Sequence, residues 1–209
     1  MYYDEENWNV VEGEEKIGFL EKVNPIGNKH KVSPQTTQVH WRTLDFYKGL
    51  ALIRVTDSLW SNKKLRIYYL VEFNSDSLYR LNGTSPPIHE VNGKGFINVT
   101  EENVLDYLRF FCFFVRGEEG PFLISEGLDN PNLPQDMDEA TRNAFSNVLR
   151  PASYEGRDEK GNYRCDAVVF YSNALFIANF SVQQGGMIEM LDDEPILTDL
   201  PIRVDQPVD

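Results

Sequence analysis

The stretch NYRCDAVVFYSNALFIANFSVQQGGMIEML, residues 162–191, constrains the fold more than any other. Two long runs rich in β-branched and aromatic residues, 162–171 and 174–184, are separated only by Ser172-Asn173. Gly185-Gly186 then leads into a third, MIEML. Strands joined by two-residue turns pair antiparallel, so the segment predicts a β-meander. In the second run Phe176, Ala178, Phe180 and Val182 project to one face. Leu175, Ile177, Asn179, Ser181 and Gln183 project to the other, which grades from apolar to polar. Asn179, Ser181 and Gln183 are therefore candidate lining for a pocket against the meander.

Upstream, GLALIRV (49–55) and LRIYYLVEF (65–73) read as a hairpin, followed by short strands at 78–81 and 95–99. Pro86-Pro87 reads as a stop between them. A helix is expected over about 101–115, with Thr100 as its cap, Glu101 and Glu102 in the first turn and Gly117 ending it. Val104, Leu108, Phe111, Cys112 and Val115 share one stripe, and further aromatic residues widen it until the last turns are apolar nearly all round. PFLIS (121–125) reads as a strand. A second helix is expected over about 137–149, opened by Asp136 or Asp138. Residues 1–35 hold no sustained period and read as an irregular arm with one short strand at 16–20. The order of elements predicts an α+β fold with a mostly antiparallel sheet. The expected layout is an acidic arm (1–22), one α+β domain (23–191) and an acidic tail (192–209).

Charge is unevenly placed. The net −13 resolves into −5 over 1–22, +6 over 23–66, −9 over 67–191 and −5 over 192–209. Within the basic segment Trp41, Arg42, Trp60, Lys63, Lys64 and Arg66 interleave rings with cations, the mixture that stacks bases and neutralises phosphates. The overall charge repels polyanions, which favours an acidic protein partner over nucleic acid. No apolar run is long enough for a membrane span, and the acidic start MYYDEENWNV lacks the features of a signal peptide. Two widely spaced cysteines fit a reducing compartment, so a cytoplasmic protein is expected.

Signatures of catalysis are absent from the sequence. Gly93-Lys94-Gly95 has neither dinucleotide-loop nor phosphate-loop spacing, and no G-x-S-x-G or H-E-x-x-H occurs. His30, His40 and His89 have no metal-ligand spacing, so no metal or cofactor is expected. Cys112 and Cys165 both sit in apolar patterns that disfavour a thiolate. Glu118-Glu119, in the turn RGEEG, read as a solvated loop. The leading expectation is a non-catalytic protein-interaction protein, an adaptor, inhibitor or assembly subunit, acting through charged surfaces. The alternatives are a small-molecule-binding domain or enzyme with its pocket against the meander, and a nucleic-acid-associated protein using 23–66.

Overall fold

Alternating apolar residues organise the first half of the chain into one sheet. The computed structural model describes residues 7–24, 30–73, 75–130, 133 and 137–202. These divide into two compact units, one of 7–44 with Gly49–Asn82, the other of Asp45–Lys48 with 83–202. The class is α+β with mostly antiparallel pairing and a C-terminal meander, as expected.

In the first unit, strand β1 (Asn9–Val11) and helix α1 (Gly13–Val23) precede β2 (Thr37–Thr43), β3 (Leu50–Asp57), β4 (Ile67–Glu72) and β5 (Leu78–Leu81). The strands lie in sequence order, each antiparallel to the next. Val39, Ala51, Ile53, Val55, Ile67 and Tyr69 point to one face, where Leu20 and Val23 of α1 join them in a core. The hairpin expected from 49–73 is β3–β4, and 78–81 is β5. The irregular arm is a correction: residues 13–23 form a helix, and no strand forms at 16–20. Its apolar face is only Phe19, Leu20 and Val23, too short a period to stand out beside Gly18. Helix α1 straddles the expected boundary at 22.

The second unit contains α2 (Pro86–Gly93), α3 (Val104–Phe114), the two-residue strands β6 (Arg116–Gly117), β7 (Gly120–Pro121) and β8 (Leu123–Ile124), and α4 (Glu139–Val148). Then come β9 (Ser153–Arg157), β10 (Tyr163–Tyr171), β11 (Ala174–Val182) and β12 (Ile188–Leu197). The sheet order is β12-β11-β10-β8, with β9 also beside β10. Pro86-Pro87 does not stop structure. It opens α2, because a proline in the first turn lacks an N–H that would have no helical partner there. The strand expected at 95–99 reduces to a single bridge, Ile97 to Tyr47.

Helix α3 matches the buried helix expected, with Val104, Tyr107, Leu108, Phe110, Cys112, Phe113 and Phe114 all buried. Its start differs. Asn103 rather than Thr100 occupies the cap position; its Oδ1 accepts from Thr100 N at 2.8 Å and its Nδ2 donates to Asn98 O at 3.0 Å. Gly117 lies in β6, and Val115, extended, ends the helix. Helix α4 is capped by Asp138, whose Oδ1 accepts from Thr141 N at 2.7 Å. Asp136, the other candidate opener, lies outside the described residues. Strand β12 runs on through Asp192, Asp193 and Glu194, so these acids belong to a strand rather than a loose tail.

A buried polar chain pins the β11–β12 turn. Tyr47 Oη donates to Asn92 Oδ1 at 2.9 Å, Asn92 Nδ2 to Tyr107 Oη at 2.9 Å, and Tyr107 Oη to Gly186 O at 2.6 Å. Gly186 has φ of 80°. A Cβ there would lie 2.4 Å from Asn92 Nδ2 and 2.6 Å from Tyr107 Oη. Glycine is thus required at this turn by both backbone and space.

Candidate functional site

Helix α1 leaves part of its sheet face open. Glu15, Gly18, Phe19 and Lys22, at i, i+3, i+4 and i+7, form one wall of a groove. The floor is Val11, Trp41, Ala51, Ile53, Val71 and Leu78. Glu72, Phe73, Ser75 and Asp76, at the end of β4 and beyond it, form the other wall. The volume is about 630 Å³, within the range of ligand sites. Phe73 is 52% exposed at the mouth.

Gly18 is the informative wall residue. Glycine inside a helix costs roughly 0.5–1 kcal/mol relative to alanine. A Cβ at Gly18 would meet no atom within 4 Å. Packing therefore does not demand glycine here; its effect is to keep the wall bare.

The residues expected to form one basic, aromatic surface are spread over several surroundings. Trp41 lies on the groove floor. Its strand neighbour Arg42 points to the opposite face, where it is buried with its guanidinium 5.8 Å from the Trp8 ring centre. Arg54 lies over the same ring at 4.5 Å. Trp60 is buried, and its Nε1 donates to Lys31 O at 2.9 Å, so it offers no open ring to a base. Lys63 and Lys64 are exposed on the β3–β4 connection, with Lys63 Nζ donating to Ser58 O. Arg66 is half-buried and donates to Lys63 O at 2.9 Å and Leu65 O at 3.1 Å. Strand alternation sends Trp41 and Arg42 to opposite faces, whereas Trp60, Lys63, Lys64 and Arg66 all lie in the connection between β3 and β4.

Asn179, Ser181 and Gln183 lie along β11 and the turn after it, and none lines the groove. Asn179 is half-buried, in register between Asp166 and Asp192. Ser181 is buried between Arg164 and Glu189. Gln183 is exposed and its backbone N–H closes the hairpin on Met187 O at 2.8 Å.

The titratable groups of the interior serve packing. Burial pushes the thiols of Cys112 and Cys165 up to about 12, and both cysteines are free. Burial lowers His40 as well, and the Arg54 charge lowers it further. Arg109 Nη2 meets Glu126 Oε1 at 2.7 Å and Nη1 meets Asp106 Oδ1 at 2.8 Å. Glu126 Oε1 also accepts from Ala152 N at 2.9 Å. Burial alone would raise the Glu126 carboxyl, but the bonds from Arg109 and Ala152 outweigh it and hold the group below its ordinary range. Glu118 and Glu119 are exposed in the β6–β7 turn. Among the described residues, no three His, Cys, Asp or Glu side chains come together as metal ligands would. Nor, among them, is any helix long and apolar enough to cross a membrane.

Comparison with family models, curated proteins and solved structures finds no match. The α+β class therefore rests on the fold itself, and the groove is a concave site formed by described residues of the first unit. Sequence reasoning reached only Trp41 among the groove residues. The line 15-18-19-22 at helical spacing was the available signal for the wall.

Proposed function

We propose that the chain is a non-catalytic binding protein, and that the α1 groove holds a segment of a protein partner. The observation that carries this reading is the bare Gly18 in a helix wall above an apolar floor. A helix that gives up propensity where no atom crowds it leaves room for something that is not part of the fold. The adaptor, inhibitor or assembly role expected from the sequence fits such a surface. Two free, buried cysteines fit a reducing compartment such as the cytoplasm.

Gly18→Leu tests the reading. The substitution improves helix propensity and projects into the groove, so melting should hold or rise. Partners co-purified from the source cell would be identified by mass spectrometry, then reconstituted with the purified chain. Loss of a reconstituted complex with Gly18→Leu, together with hydrogen-exchange protection of α1 in the wild-type complex, supports the groove. Equal affinity of wild type and Gly18→Leu for every reconstituted partner overturns it. The volume of about 630 Å³ also supports a second reading, a small-molecule-binding domain with its site in this groove rather than against the meander.

A further inference from the structure

The groove's rim is acidic. Among the described residues its ionisable groups are Glu15, Lys22, Glu72 and Asp76, three carboxylates against one ammonium. Lys22 Nζ meets Asp76 Oδ1 at 2.5 Å, an ion pair from α1 to the turn after β4. That pair is half to fully exposed, at 50% and 89%, so water and salt weaken it and an incoming cation can exchange with it. Among the described residues, the Glu72 carboxylate accepts only from the neutral Ser75 Oγ, at 2.6 Å. Glu15 is exposed in the first turn of α1, where the helix dipole favours it, and no cation among the described residues pairs with it. Two carboxylates thus remain uncompensated beside Phe19, Trp41 and Phe73.

Carboxylates next to aromatic faces recognise cations, and long basic side chains lay an apolar stem on such a floor while the head reaches the acids. The floor takes residues from every strand, from Val11 in β1 to Leu78 in β5. Four strand spacings of about 4.8 Å make roughly 19 Å, the span of about six extended residues. A lone cation would leave most of that length empty.

We propose that the occupant is a partner-protein segment of about six residues that sets an arginine or lysine beside apolar side chains, its cation held by Glu15 and Glu72. The inference rests on the groove reading above and adds the charge of the occupant. The test is a titration of the ¹⁵N-labelled full chain with three capped hexapeptides of equal apolar content, bearing two arginines, two glutamines or two glutamates. The arginine peptide should shift the Trp41 indole and Gly18 amide signals. The glutamine peptide should bind at least tenfold more weakly, and the glutamate peptide should leave these signals unmoved. The double variant Glu15→Gln/Glu72→Gln should reduce the arginine peptide to the glutamine level.

Equal or tighter binding of the glutamine or glutamate peptide overturns the charge assignment while leaving the groove as a binding site. Arginine amide moving the same signals at the same concentration as the peptide overturns the peptide assignment in favour of a small cation. If no peptide moves these signals, the inference falls. The groove reading falls with it only if reconstituted partners are also indifferent to Gly18→Leu.

Discussion

Gly18 and Gly186 lack the same side chain for opposite reasons. At the β11–β12 turn a Cβ would run into Asn92 and Tyr107, so the glycine records a site packed to the limit. On α1 a Cβ would meet nothing, so the glycine records a site left empty. The second unit spends its polar groups inward: Tyr47, Asn92 and Tyr107 bond one another and the turn. The first unit keeps four charged groups around an open groove. The same residue type therefore marks a closely packed turn in one place and an open helix wall in the other. Only the neighbours tell them apart.

The largest effect should come from closing the wrong glycine. Gly186→Ala forces overpacking and a left-handed backbone, and should cost about 3 kcal/mol in denaturant melts. A loss below about 1 kcal/mol would mean that the turn is not held against Asn92 and Tyr107. Next comes the ion pair inside the second unit. Glu126→Gln removes the charge facing Arg109 and should cost about 2 kcal/mol. Glu126 titrates below its ordinary value in the fold. Its stabilisation is therefore complete above the unfolded carboxylate pKa and is lost as pH falls through the folded one. Acid unfolding curves should thus be shallower for the Gln variant than for wild type.

In the first unit the signs reverse or the effects shrink. Gly18→Ala should raise stability, by up to about 1 kcal/mol. A destabilised variant would show that the groove wall is packed after all. Lys22→Gln should leave the melting temperature where it is, since both ends of its ion pair are solvated. The smallest signal belongs to the thiols. At pH 8 a group titrating near 12 is about one part in ten thousand thiolate. Thiol-reagent labelling of Cys112 and Cys165 should therefore follow unfolding, and fast labelling of native protein would contradict their burial.

The elements legible in the sequence were those with long, uninterrupted periods. The 162–191 meander and the aromatic helix at 104–114 each bury whole runs of side chains, so period and burial agree along the chain. Helix α1 was not legible, because it buries only a narrow face and carries a glycine where the period needs a side chain. Helix α2 was hidden by two prolines that act as an opening rather than a stop. The site was least legible. Its walls come from α1 and the end of β4, some fifty positions apart, and its floor from five strands. Trp41 was visible as a candidate, but Arg42 beside it was grouped with it although the strand sends it to the opposite face. Charge counted along a segment cannot register that alternation.

The acids at 192–194 lie on β12, the outer strand of its sheet path, with Pro195 following them. A bulge interrupts the pairing with β11 between Asn179 and Phe180. An outer strand is where another strand could extend the sheet, and charged residues and proline are features that blunt such an edge. Three of the acids expected in a loose tail thus lie on the sheet's margin, where like charges on facing strands repel.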